Sequence, residues 1–191
     1  MLPVREDYRD YQPPAWVIKT VRQLLGSLSE EHVGGLAAIV LTESALVRKG
    51  RTHRVAGKKL ELKKCRGFYC PKSHSDAAAV FLIVDNIIAG RPPKYWRTPF
   101  FRESHVGVVL FHEIGHHLNY TKRSVAAGQE ASAEEWQRRL GGLHLRKKYW
   151  YLRPVIKPLR LMVGWLARRE LAARSKTSVT HDPVRPGWGR V

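Results

Sequence analysis

The sequence predicts an α+β domain with a small mixed or antiparallel sheet, a helix carrying an HExxH motif, a following glutamate helix and a basic helical extension at the C-terminus. Three observations predict it. Short β-branched apolar runs fall in the first ninety residues, two helical patterns follow between Thr98 and Leu140, and the charge is unevenly spread. Residues 1–50 carry 6 basic and 6 acidic side chains, 51–100 carry 11 and 3, 101–142 carry 5 and 5, and 143–191 carry 12 and 2. Two basic segments therefore flank a neutral one. At 191 residues and 43% hydrophobic, the chain is long enough for one domain with a core plus a tail. Its net charge of +18 favours polyanions or acidic surfaces among its partners.

The elements follow in order. Pro13 and Pro14 open a helix over residues 14–28, in which Trp16, Val17, Val21, Leu24 and Leu25 recur at helical spacing. The run 36–42, preceded by Gly34 and Gly35, reads as a strand. Two more strands are expected at 59–69 and 80–88, the second apolar enough to be buried on both faces. Thr98 and Pro99 start a helix that runs to about Leu118. Another helix spans 129–140 and is expected to end at Gly141 and Gly142. Residues 1–142 form the domain on this reading. Residues 143–175 form the basic amphipathic extension, with Leu152, Val155, Ile156, Leu159, Met162, Val163 and Leu166 as its apolar stripe. The turn-rich segment 176–191 reads as a flexible tail.

The chemistry is carried by His112, Glu113 and His116. Four residues along a helix rise about 6 Å and turn about 40°, so both imidazoles leave one face and can share one ion. Neutral imidazole nitrogen suits Zn²⁺. Glu113 lies about 100° round the helix from His112, beside the ion as a base for water. With 9 His in 191 residues, roughly 0.02 such motifs are expected by chance. A catalytic zinc usually takes a third protein group. Glu130 is the first candidate, with Glu134 holding an imidazole from outside. Glu134 or His144 as the ligand are the alternatives.

HEIGHH followed by Glu130-Ala-Ser-Ala-Glu134-Glu-Trp136 resembles the glutamate-type zincin metallopeptidases, most closely the ImmA/IrrE-like branch. The resemblance covers about residues 76–140. It differs at the second helix, where that branch has asparagine followed by Phe-Ala. It implies a zincin-like fold, His112, His116 and Glu130 as zinc ligands, Glu113 as the base, and an extended substrate added as a strand beside the active-site helix, with the strand at 80–88 or its neighbour as that edge. It also implies a protein or peptide substrate, including DNA-associated regulators. Amide hydrolysis further needs a donor for the tetrahedral oxyanion, for which Tyr120, His144, Tyr149 and Tyr151 are candidates.

Weaker signals remain. Cys65, Cys70 and His74, with His53, can be read as a second zinc site, as a redox-labile pair or as a turn with two free thiols. His105 and His117 are expected to pack or meet solvent. The basic residues of 48–66 lack interleaved aromatics and suit phosphates better than bases. The C-terminal helix can dock on its own domain, meet nucleic acid, or lie on an anionic membrane surface. No apolar run approaches the ~20 residues of a membrane span, and the N-terminus lacks an export signal, so a cytoplasmic, reduced protein is expected. Two rival functions stand beside the peptidase: a nucleic-acid-binding protein with a structural or inactive metal site, and an SprT-like DNA-dependent protease.

Overall fold

At the centre of the molecule two apolar runs lie side by side. In this computed structural model, which describes residues 2–47, 52–55, 58–73, 77–121 and 129–152, they are β2 (Ala38–Thr42) and β6 (Ala79–Ile83), paired in parallel from Ala38↔Ala79 to Thr42↔Ile83. β1 (Val4–Asp7) adds in parallel outside β2, and β5 (Gly67–Cys70) adds antiparallel outside β6. The result is a mixed four-stranded sheet in the order β1-β2-β6-β5. Thr52–Val55 and Lys58–Glu61, β3 and β4, form a separate antiparallel hairpin. The fold is thus mixed α and β with a small mixed sheet, as expected.

Successive strand residues face opposite sides, so Ile39, Leu41, Val80 and Leu82 all project to one face. There they meet Val17, Val21 and Leu24 of α1 (Trp16–Leu25) and Val106, Val109, Leu110 and Ile114 of α4 (Pro99–Thr121) in one core cluster. The other face holds a smaller cluster in which Val47 and Ile83 meet Cys65 and Phe68. α4 is buried on several sides because the sheet, α1 and α5 (Gln129–Lys148) all pack against it. A short helix, α2 (Glu30–Val33), precedes Gly35, whose φ of +87° requires glycine.

Four expectations need correction. The strand expected at 59–69 is broken by a 3-10 turn, Leu62–Lys64, so β4 pairs with β3 while β5 joins the main sheet. Asn86 Nδ2 fixes the break by donating to the carbonyls of Lys63 and Cys65 at 2.8 and 2.7 Å. The strand expected at 80–88 stops at Ile83, where its pairing with β2 ends, and continues as α3 (Val84–Ile88). Asp85 there accepts the Ser44 backbone N–H at 3.0 Å. Residues 4–7 carry three charged side chains, which hides an edge strand from a hydrophobicity reading. Finally, α5 does not end at Gly141 and Gly142 but runs through them to Lys148. Neither glycine has a positive φ, and beyond them His144 is buried against Glu103 of α4 at 2.9 Å. That burial offsets the ~1 kcal/mol per residue that glycine costs a helix interior.

The chain divides into two units, 1–148 and 149–191. Of the second, the described part is a 3-10 turn at Trp150–Leu152, and the expected C-terminal stripe and tail lie outside the described residues. No helix among the described residues is long and apolar enough to cross a membrane.

Candidate metal centre

His112 and His116 leave α4 one turn apart, and their Nε2 atoms lie 3.1 Å from each other with the rings perpendicular. Glu130, in the first turn of α5, sets Oε1 3.1 Å from His112 Nε2 and Oε2 3.6 Å from His116 Nε2. Atoms bound at ~2.1 Å to one tetrahedral cation sit about 3.4 Å apart, which is the spacing observed among these three groups. One ligand atom from each lies within 4.8 Å of the others. The three residues that the motif and its following helix single out can therefore hold a metal ion.

The helix pairing that brings Glu130 here depends on Gly115. A Cβ on Gly115 would lie 2.8 Å from the Ala133 carbonyl oxygen and 3.0 Å from its Cα. The two backbones thus touch at Gly115 and Ala133, and Glu130 stands one turn before that contact. Glu134 is exposed and lies outside the cluster, because it is turned further from the face centred on Ala133, Leu140 and His144. His144 is not a ligand. It lies 14 residues beyond Glu130, about 21 Å along the helix, in a buried cluster with Glu103 and Lys148.

Glu113 is 7% exposed and points between α4 and β5. β5 comes this close because it places Gly67 there, where a Cβ would lie 3.1 Å from Glu113 Cγ and 2.9 Å from Val109 Cγ1. Burial and the neighbouring Glu130 charge push the Glu113 carboxyl up to about 8 in the metal-free chain. The backbone N–H of Tyr69, hydrogen-bonded to it, opposes the shift. Tyr120 lies one turn beyond His116, 58% exposed, with its ring edge on Tyr69. Tyr149 and Tyr151 belong to the second unit.

Among the described residues no other set of three His, Cys, Asp or Glu side chains converges in this way. Cys65 and Cys70 are not joined in a disulfide. Cys65 packs on Ile83, whereas Cys70 pairs with Ala79, four residues back along β6. That is about 13 Å, far beyond the reach of a disulfide, so the redox-labile pair is excluded for this arrangement. Burial, then the Glu113 charge, pushes the Cys65 thiol up. His74 and the His53 side chain lie outside the described residues. His105 packs against the rings of Tyr95 and Trp96. Burial, then Arg66 and Arg91, holds it below the usual imidazole range.

Gly67 and Tyr69 are the site residues that the sequence reading missed. A lone glycine in a strand pattern does flag a close backbone approach, but nothing in the pattern says to which element. Compared with known protein families, characterised proteins and solved structures, the chain matches none, so the functional reading rests on the site itself.

Proposed function

We propose that the chain is a zinc-dependent peptidase acting on a protein or peptide substrate. The observation that carries this reading is the convergence of His112, His116 and Glu130 beside the buried Glu113. Two imidazoles and one carboxylate fit a catalytic zinc with a position left open, and their resemblance to the glutamate-type zincins, closest to the ImmA/IrrE-like branch, agrees with that donor set. When bound, zinc supplies Lewis acidity toward water and toward a carbonyl oxygen at neutral pH.

The chain's own residues do the rest. Glu113 takes a proton from the attacking water as the new C–O bond forms, then passes it to the amine as the C–N bond breaks. Tyr69 holds that carboxylate through its backbone N–H. Ile83 donates to the Arg66 carbonyl at 2.8 Å, so the bonded pairs of β5 and β6 are 66 with 83, 68 with 81 and 70 with 79. The main-chain groups of Gly67 and Tyr69 consequently face the free edge. Once the Tyr69 N–H is engaged, both groups of Gly67 and the Tyr69 carbonyl remain to pair with an extended substrate. Tyr120 is the candidate donor to the oxyanion. A DNA-associated protein substrate suits the +18 charge.

Metal analysis tests the reading. Wild type should bind about one zinc per chain, His112→Ala and Glu130→Gln should lose it, and Glu113→Gln should keep zinc while losing peptide cleavage. Zinc retained in Glu130→Gln would count against the glutamate-type site and for an SprT-like arrangement. The net charge favours a second reading, nucleic-acid binding around a structural metal. That reading requires salt-steep DNA binding, indifference to Glu113→Gln and no cleavage.

A further inference from the structure

His117 directly follows a candidate ligand yet is 1% exposed and lies outside the group formed by His112, His116 and Glu130. Its Nε2 lies 2.9 Å from the Gly34 carbonyl oxygen, and its Nδ1 lies 3.2 Å from the Tyr69 hydroxyl. A carbonyl only accepts, so Nε2 carries the hydrogen. Nδ1 is then the acceptor, and the Tyr69 hydroxyl donates to it. The loop after α2 lies against this ring: a Cβ on Gly35 would be in ordinary van der Waals contact with His117 Cε1, at 3.7 Å. Tyr69 meets the ring edge-on at 5.4 Å between centroids.

Tyr69 thus bears on two groups of α4. Its hydroxyl is fixed by His117, and its backbone N–H, on the free edge of β5, faces the Glu113 carboxyl, against whose Cγ the same strand packs at Gly67, where a Cβ would lie at 3.1 Å. β5 is four residues long and, among the described residues, pairs with a strand only on its β6 side; against α4 it is held by the close approach of Gly67 to Val109 and Glu113 and by the side chain of Tyr69.

We propose that His117 is a positioning residue. By clamping the Tyr69 hydroxyl to the Gly34 loop, it holds the β5 edge so that the Tyr69 N–H fixes the Glu113 carboxylate. The catalytic meaning of this clamp rests on the peptidase reading; the clamp itself does not.

The test compares full-length Tyr69→Phe, His117→Leu and His117→Gln by backbone amide exchange, ¹⁵N signals of the imidazole, and zinc titration against a competing chelator. The glutamine amide can donate to Gly34 and accept from Tyr69, so it should restore what leucine removes. The Tyr69 amide should exchange about tenfold faster in Tyr69→Phe and His117→Leu, and at nearly the wild-type rate in His117→Gln. Amides of Leu110 and Ile114 should be unmoved and zinc affinity retained. The wild-type ring should show a hydrogen on Nε2 and a bare Nδ1. Unchanged Tyr69 exchange in Tyr69→Phe would overturn the clamp, as would acceleration spread equally over α4. Should His117→Leu fail to fold, Tyr69→Phe still decides. An intact clamp in a chain that binds no zinc, or whose cleavage ignores Glu113, would overturn the peptidase reading instead.

Discussion

One carboxyl group, Glu113, is buried beside the like charge of Glu130. Burial first and the Glu130 charge second raise it from 4.5 to about 8, so in the metal-free chain the folded state prefers the protonated form. Between those two pH values the unfolded chain has released the proton and the folded chain still holds it. Folding stability therefore falls as pH rises through that window and levels off above it. Glutamine at this position cannot titrate. In chelator-treated protein, Glu113→Gln should unfold at a higher denaturant concentration than wild type, by a margin that widens from pH 4.5 to about 8. A constant margin would mean that the carboxyl titrates normally. Zinc should shrink the margin, since a cation beside Glu130 removes much of the repulsion that raises Glu113.

At the scale of elements, the contact between α4 and α5 decides where Glu130 stands. In Gly115→Ala the new methyl meets backbone rather than a flexible side-chain end, so the helices must separate. Zinc affinity should fall about tenfold or more and the melting temperature should drop, both readable by chelator competition and thermal unfolding. His144→Ala should separate stability from metal. It removes one partner of the buried Glu103 carboxylate and should cost about 3 kcal/mol, yet leave zinc affinity unchanged because the cluster lies far along α5. Loss of zinc in that variant would revive His144 as a ligand. The same two helices show what could be read in advance. His112, Glu113 and His116 were legible because helical spacing alone sets three side chains on adjacent faces. Glu130 was legible as one of three candidates, and only the close approach at Gly115 selects it over Glu134. The course of α5 past Gly141 was not legible, since the burial of His144 that sustains it is made with a residue 41 positions away. β5 was misjudged for a similar reason: alternation shows which faces a strand has, but not which strand it pairs with.

For the whole molecule, the distribution of charge and the position of the site make separable demands. His112, Glu113, His116 and Glu130 all lie within residues 1–148, one of the two compact units, and the segments that hold them carry little net charge. Residues 149–191 hold 9 of the 34 basic side chains and 2 of the 16 acidic ones. If the metal centre is self-contained, residues 1–148 produced alone should bind zinc as tightly as the full chain. Each should gain about 2.7 kcal/mol of stability at a free zinc concentration one hundred times the Kd. If the basic extension follows phosphates, the shortened chain should also bind DNA more weakly, with a shallower dependence of log affinity on log salt, because fewer counterions are released. Loss of zinc on truncation would mean that the second unit contributes to the site. An unchanged salt slope would instead assign the polyanion-binding charge to residues 51–100, whose net charge is +8.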